Sequence, residues 1–280
     1  MTLRTKLINL FKHRVLEPQL DRQERWEQMV IDIPDAVRGS EDSPIRFNIP
    51  RAGIELEGDH APLPGFPKSA PQMMGSILNI RKSIYDLEEN PAKGKRQIDA
   101  QTLVDLRGFS RSVGADEIGF APAPPKWVFR NLAIRYTQAI VLVMEMDKAR
   151  MQLAPNPDTA VMVHETYNQL GQVANQIADW LRDQGYAAHA GHPLGGFALY
   201  PPMAQAAGLG WRGISGLLIT PQFGPRVRLA AVFTEIEYLP VYEGNEHAWV
   251  LDFCESCRRC VRDCPPDAFY DDPIISTLDK

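Results

Sequence analysis

Cysteine is scarce in this 280-residue chain: it occurs at four positions, and all four lie within eleven residues near the C-terminal end. The remaining sequence has none, so disulfides cannot link distant parts of the fold. A disulfide framework needs cysteines distributed along the chain. This distribution excludes the disulfide-stabilised class and predicts a reducing compartment, which we take to be the cytoplasm.

Long apolar runs are also lacking. The run AIVLVM, at 139–144, is far shorter than the roughly 20 residues that a membrane-spanning helix needs. No secretory leader and no twin-arginine pair is visible near the start. The first sixteen residues carry four basic and no acidic side chains, with their apolar residues on one helical face. They predict a helix that docks on the protein or on a partner, with peripheral membrane binding as the alternative.

An excess of positive charge is missing too. The formal net charge is −5, which gives no support for nucleic-acid binding. The glycine pair at 208 and 210, in AGLG, is not part of a G-x-G-x-x-G pattern, so it does not predict a dinucleotide site. These two absences give no support for a nucleic-acid or dinucleotide partner, and the composition suits a soluble globular protein with one large core.

Three regions of the sequence differ in composition and in hydrophobic pattern. We expect an N-terminal helix and an irregular Pro/Gly-rich arm with short helices in 1–97, a folded core in 98–248 and a small module in 249–280. Within the core, helices alternate with short strands, which predicts an α/β or α+β layered fold. The predicted helices span 99–114, ending at Gly114, and 159–184, with Asp158 as N-cap and Gly185 as C-cap. The predicted strands span 115–123, 138–146, 186–190 and 226–239.

The cysteine run CESCRRCVRDCP carries the strongest chemical signal. Cys254, Cys257 and Cys260 are each separated by two residues, and Cys264 is followed directly by Pro265. This spacing is that of a loop that delivers thiolates to an iron–sulfur cube. Zinc is the alternative, but four-cysteine zinc sites usually use two knuckles separated by roughly a dozen residues or more. The run therefore predicts a 4Fe–4S cluster.

The role of Cys264 stays open at this point. It could close the same cluster, stand beside a three-cysteine site, or serve a second cluster whose cysteines a longer chain would supply. In two-cluster ferredoxins the fourth cysteine of such a run ligates the other cluster. A binding partner could also provide a missing ligand.

Several stretches together resemble the cobalamin-dependent reductive dehalogenases, with the epoxyqueuosine reductases as related proteins. They are GADEIGF, AIVLVMEMD, TYNQLGQVANQIADWLRDQGYAA, AAGLGWRGISGLLITPQFGPRVRLAAVFTE and FCESCRRCVRDCP, in the order of that family, over about residues 100–270. The resemblance implies a nitroreductase-like core that binds a corrinoid, followed by a ferredoxin-like iron–sulfur module that the chain could leave incomplete.

The resemblance also implies roles for individual residues. Clusters pass electrons to cobalt, and reduced cobalt attacks an organohalide or accepts its halogen. Tyr167 would donate the proton, and Arg228 would stabilise the phenolate. The cofactor-binding candidates are Gly191, His192, Gly208, Gly210 and Thr220.

Each candidate has a structural alternative. Tyr167 could be a core tyrosine, and Arg228 could be an ion-pair partner, with Arg226 as the rival for its role. His192 could be a buried structural histidine, and the glycines of AGLG could form a tight turn.

The sequence also departs from the family. It lacks a second cysteine run and an export signal, it has Gly191–His192 where many relatives have Gly–Asn, and it has Trp211 where AGLGE is usual.

Three functions are compatible with these features. The first is a corrinoid-dependent iron–sulfur oxidoreductase that removes halogen from a small organic molecule, or reduces it in a related way. It would relay electrons through the 4Fe–4S cluster from a donor such as a ferredoxin or flavodoxin. The second is an electron-transfer or corrinoid-handling protein without turnover. The third is a chain truncated before a second cluster.

Overall fold

The computed structural model describes residue 10 and residues 12–46, 68–264 and 267–269. The predicted N-terminal helix falls mostly on residues 1–9, outside this range. A π-helical turn at Lys12–Leu16 precedes the first α-helix. In chain order, the elements are α1 (Glu17–Ile31), β1 (Val37–Arg38), α2 (Ala70–Tyr85), α3 (Ala100–Ser112), β2 (Glu117–Pro122), β3 (Ala133–Ile134), β4 (Gln138–Glu145), α4 (Lys148–Met151), α5 (Pro157–Asp183), β5 (Ala188–Gly191), α6 (Tyr200–Ala206), β6 (Trp211–Arg212), β7 (Leu218–Ile219), β8 (Val227–Thr234), α7 (Trp249–Cys257) and α8 (Arg259–Arg262).

A four-stranded sheet forms the centre, in the order β2–β4–β8–β5, with every neighbouring pair antiparallel. Alternate residues of β4 enter different hydrophobic clusters. Ala139, Val141 and Val143 belong to one cluster, whereas Ile140, Leu142 and Met144 belong to the other. Because the sheet is covered on both faces, its central strand is apolar throughout, as its sequence predicts. The layered fold class is confirmed, in its antiparallel α+β form.

The long helix α5 covers one face of this sheet. Its buried stripe includes Leu170, Ala174, Ile177 and Leu181, whose spacings of four, three and four residues place them on one helical face. The predicted N-cap, Asp158, is wrong. The cap is Asn156, whose side chain accepts a hydrogen bond from the backbone N–H of Asp158, because Pro157 already occupies the first helical position and has no N–H to satisfy.

The C-terminal caps of two helices lie one residue before the predicted glycines. Val113 caps α3 and Gln184 caps α5. Gly114 and Gly185 follow these caps with φ of 111° and 87°. This is the position after the cap, where a left-handed backbone ends the helix and glycine is favoured.

In the arm that we expected to be irregular with short helices, residues 70–85 form the 16-residue helix α2. Met73, Ile77, Ile80 and Ile84 are buried at spacings of four, three and four residues. The Pro- and Gly-rich flanks obscure this helical period in the sequence. The three-part division of the chain stays a prediction. No helix in the described part of the chain is long and apolar enough to cross a membrane.

Candidate functional site

Tyr167 and Arg228 lie against each other in the fold. Tyr167 projects from α5 and Arg228 from β8, and the guanidinium carbon of Arg228 is 4.5 Å from the centre of the Tyr167 ring. Arg228 pairs in register with Met144, whose side chain belongs to the core cluster on the α5 face. The sheet therefore directs Arg228 toward α5. A cation over an aromatic ring contributes roughly 0.5–2 kcal/mol.

The structure distinguishes Arg228 from its rival, Arg226. Arg226 forms an ion pair with Glu145 and donates a hydrogen bond to the carbonyl of Met146 at 3.2 Å. Arg228 makes no ion pair with any residue that the structure describes, and its buried Nε has no hydrogen-bond partner. Arg226 is therefore engaged with β4, and Arg228 is the arginine beside Tyr167.

His164 is a site residue that the sequence analysis missed. It lies one helical turn before Tyr167 on α5, and the two ring centres are 6.1 Å apart. Its Nδ1 is buried and has no hydrogen-bond partner. Burial, followed by the charge of Arg228, lowers the pKa of His164, so a neutral imidazole is favoured. The three-residue spacing from Tyr167 is the signal that could have identified it.

His192 lies in the interior beside α5. It is 2% exposed, neither of its ring nitrogens has a partner, and burial lowers its pKa to about 3. A Cβ added to Gly171 would come 2.9 Å from its Nδ1, so the ring packs directly on the helix. These unused nitrogens, next to Gly191, fit a polar group of a corrinoid.

The other cofactor candidates make internal contacts. A Cβ on Gly208 would lie 2.7 Å from the ring of Tyr242, and one on Gly210 would lie 2.3 Å from the carbonyl oxygen of Ile219. Gly208 also has φ of 73°, which favours glycine. The hydroxyl of Thr220 accepts a hydrogen bond from the backbone N–H of Phe223. These contacts account for the three residues without a ligand, so we draw no argument for a corrinoid from them.

The four cysteines are suitable ligands for an iron–sulfur cluster, but the structure does not place their sulfur atoms around one metal position. No group of three or more His, Cys, Asp or Glu side chains within the described ranges is placed to hold a metal. Cys254 is buried, with its sulfur 3.3 Å from the Cβ position of Gly213. Cys260 is exposed, and the sulfur of Cys264 accepts a hydrogen bond from the backbone N–H of Ala268. Four soft thiolates in one short segment remain a suitable donor set for iron.

A surface cavity of about 320 Å³ lies between the end of β4 and α5. None of the residues predicted for the site lines it. Glu145, which contributes to its wall, is paired with Arg226. The lining residues are Val113, Gly114, Met144, Glu145, Gln169, Gln172, Val173 and Gln176.

Comparison with known proteins supports the predicted resemblance. The chain is 36% identical to tetrachloroethene reductive dehalogenase of Dehalobacter restrictus over 165 residues, which are 59% of this chain and 29% of that protein. It is 41% identical to epoxyqueuosine reductase of Listeria monocytogenes over 63 residues, which are 22% of this chain and 15% of that protein. This chain is similar in sequence to both kinds of reductase. The predicted resemblance is thereby confirmed. No protein-family model matches the chain.

Solved structures agree on the fold. A reductive dehalogenase, described with a mechanism for B12-dependent dehalogenation, superposes with a TM-score of 0.58 at 18% identity, over 85% of this chain and 37% of that protein. A catabolic reductive dehalogenase in complex with 3-bromo-4-hydroxybenzoic acid gives the same TM-score at 19% identity, over 71% of this chain and 31% of that protein. The predicted dehalogenase-like core is confirmed at the level of the fold. The ferredoxin-like module is not tested by these matches.

Proposed function

We propose that this chain takes part in corrinoid-dependent reduction of an organic substrate, with removal of halogen as the first candidate reaction. The observation that carries this proposal is the contact between Tyr167 and Arg228 on a fold shared with reductive dehalogenases. The chain matches less than a third of the dehalogenase relative, so the complete activity, the substrate and the electron donor all belong to the proposal.

Tyr167 is proposed as the proton donor. In the net reaction, a carbon–halogen bond and two electrons yield a carbon–hydrogen bond and a halide ion, and the proton comes from the Tyr167 hydroxyl. Arg228, at 4.5 Å from the ring centre, would stabilise the phenolate that remains. Tyr167 is partly buried and belongs to neither hydrophobic cluster among the described residues, which favours this role over that of a core tyrosine.

A bound corrinoid would supply a low-potential cobalt centre able to reduce the substrate. Gly191 and His192 are the residues of this chain proposed to contact it, because the unpartnered ring nitrogens of His192 could bind its polar groups. The protein would exclude water and hold the proton donor near the reacting carbon. A cytoplasmic location and a ferredoxin or flavodoxin as electron donor remain parts of this proposal.

The cysteine segment is proposed as the electron relay. Cys254, Cys257, Cys260 and Cys264 would hold a 4Fe–4S cluster, with Cys264 as the ligand whose assignment stays open. The spacing of the four cysteines carries this part of the proposal, since their sulfur atoms are not grouped around a metal position in the described part of the chain. Relay of electrons through a partner that carries a further cluster is compatible with the same residues.

The test compares Tyr167→Phe with the unaltered protein after loading with cobalamin and iron–sulfide. Halide release from tetrachloroethene and from 3-bromo-4-hydroxybenzoic acid would be measured with a chemical reductant. Loss of a positioned acid lowers rates by about 10²–10⁴-fold, so Tyr167→Phe should slow turnover by that factor while cobalamin affinity stays unchanged. Tyr238→Phe, at an exposed position, is the matched control.

Arg228→Lys is a second variant for this test, which examines the arginine beside Tyr167. A lysine keeps the charge but lacks the planar guanidinium that stacks on Tyr167, so turnover should also fall. Arg226→Lys should have a smaller effect, because Arg226 is held by Glu145. Normal turnover in Tyr167→Phe would contradict the proposed proton donor.

A further inference from the structure

Exposed apolar side chains are concentrated in one short segment, residues 241–253. Five of the fifteen large hydrophobic residues that are exposed in the described part of the chain lie there. They are Val241, Tyr242, Trp249, Leu251 and Phe253. Single exposed apolar residues are ordinary, whereas a concentration of them marks a surface that binds another molecule. This segment is therefore the first candidate for an interaction surface.

The helix α7, which ends this segment, packs on the core with one side only. Its buried residues are Val250 and Cys254, and the sulfur of Cys254 lies 3.3 Å from the Cβ position of Gly213. Trp249 and Phe253, each one residue earlier, are 59% and 58% exposed. Their rings meet in a T-shaped arrangement with centres 6.5 Å apart. The outer side of α7 therefore presents an exposed aromatic pair.

Tyr242 adds a third exposed ring in the stretch that leads into α7. It is 46% exposed, and its ring lies 2.7 Å from the position that a Cβ of Gly208 would take. Asn245 donates hydrogen bonds to the carbonyls of Gln205 and Gly210 at 2.6 and 2.9 Å. These contacts fix the stretch on the core, so its side chains lose little freedom when a partner binds. Tyrosine and tryptophan are enriched among the residues that carry most of the binding energy at protein interfaces.

The charged side chains of the same stretch are all acidic. Residues 236–257 include five acidic residues and no lysine or arginine, and arginines follow only from residue 258 onward. Glu243, Asp252 and Glu255 are exposed and make no ion pair within the described part of the chain. Their charges are therefore available to a binding partner, beside the exposed aromatic rings.

We propose that this stretch forms a docking surface for a protein whose contact face is basic and apolar. The surface, which we call the acidic aromatic face, consists of Tyr242, Glu243, Trp249, Asp252, Phe253 and Glu255. Its rings supply apolar anchors, and its carboxylates pair with lysine or arginine side chains at the rim of the partner's contact face. The inference rests on the exposure, contacts and charges of this face and is independent of the proposed function.

The charge of the acidic aromatic face disfavours other occupants. Nucleic acids and anionic membranes carry phosphate groups, which the carboxylates repel. A second copy of the chain bound through the same face would set carboxylates opposite carboxylates, since a two-fold interface uses the same patch on both subunits. Like charges opposed across an interface disfavour binding. The partner would lie against the outer side of α7, whose inner side carries Cys254.

The experiment measures the binding of two synthetic peptides to the purified full chain by titration calorimetry. Both peptides form amphipathic helices with the same leucine face, and the polar face carries lysine in one and glutamate in the other. We expect saturable binding of the lysine peptide and none of the glutamate peptide. Sodium chloride should weaken the binding, because salt screens attraction between exposed charges.

Matched variants separate this face from the general attraction between a basic peptide and an acidic protein. Phe253→Ser should weaken binding of the lysine peptide by about 10-fold, as expected for removal of an aromatic anchor. Asp252→Lys should weaken it by about 3–10-fold and reduce its dependence on salt. Val104→Ser and Asp105→Lys, at exposed positions on α3, are the controls and should leave binding unchanged.

Failure of the lysine peptide to bind, equal binding of both peptides, or equal losses in the α7 and α3 variants would overturn the proposal. Analytical ultracentrifugation and vesicles that contain phosphatidylserine test the other occupants. A dimer that Phe253→Ser dissociates would assign the face to a second copy of the chain. Vesicle binding that Phe253→Ser abolishes would assign it to a membrane. Either result would also overturn the proposal.

Discussion

Two histidines, His189 and His192, lie in the interior with 0% and 2% exposure. Burial is the largest cause that lowers the pKa of each to about 3, against about 6.5 in an unfolded chain. Protonation therefore favours the unfolded state. The stability that the neutral rings contribute is complete above about pH 6.5 and is lost as the pH falls toward 3.

His192→Leu tests this linkage. Each buried histidine should reduce the free energy of unfolding by about 1.4 kcal/mol per pH unit between its two pKa values. The variant lacks one such group, so its stability should fall less steeply than that of the unaltered protein between about pH 6 and pH 4. Urea unfolding at several pH values measures this difference. His13→Leu, at an exposed position, is the control, and parallel curves for His192→Leu and the unaltered protein would contradict the account.

Some features of the candidate site could not be predicted from single residues in the sequence. Tyr167 and Arg228 came from resemblance, and only the crossing of α5 over β8 brings them together. The sequence could not choose between Arg226 and Arg228, because both lie in one apolar stretch. Their difference arises from Glu145 on another strand, which neutralises Arg226. His164 was missed because its three-residue spacing from Tyr167 becomes informative only once Tyr167 is assigned to the site.

At the scale of elements, the packing of α2 on α5 depends on two glycines. A Cβ on Gly75 would lie 2.5 Å from the Oδ1 of Asn168, and one on Gly171 would lie 3.2 Å from the Nδ2 of Asn79 on α2. Asn79 donates a hydrogen bond across the same interface to the side chain of Asn168 at 3.0 Å. The two helices thus approach closely through small and polar residues.

Gly171→Ala should therefore destabilise the protein by about 1–3 kcal/mol, the usual cost of an extra methyl in a packed interior. Gly108→Ala is the matched control: Gly108 lies within α3, and an added Cβ there would meet nothing within 4 Å. Its higher helix propensity should stabilise the protein by about 0.5–1 kcal/mol. Thermal and urea unfolding measure both. Equal effects of the two changes would show that the α2–α5 contact is not tightly packed.

Helices and strands whose apolar residues follow one regular spacing were predicted correctly. The sequences of the strand β4 and the helix α5 each have an apolar pattern that is compatible with one kind of secondary structure. The length of the helix α2 was not predicted although Met73, Ile77, Ile80 and Ile84 repeat at helical spacing, because the surrounding prolines and glycines indicate an irregular segment. The Asn156 cap was missed because Asp158 is an equally good cap residue, and only the position of Pro157 decides between them.

At the scale of the whole molecule, the account joins a dehalogenase-like core to a segment with four cysteines. The core is supported by sequence and fold, over 59% of the chain in the tetrachloroethene reductive dehalogenase match. The cysteine segment rests on the spacing of its ligands, because its thiols are not gathered in the described structure. The central claim is that one chain binds both a corrinoid and an iron–sulfur cluster.

The most direct test counts iron, acid-labile sulfide, zinc and cobalt in one sample, purified without oxygen and incubated with cobalamin. We expect one cobalt and about four iron and four sulfide per chain, as in a cubane cluster. Cys254→Ala should lose the iron and keep the cobalt, because the two sites use different residues. Stoichiometric zinc without iron, together with no cobalt retained in large cobalamin excess, would contradict the account.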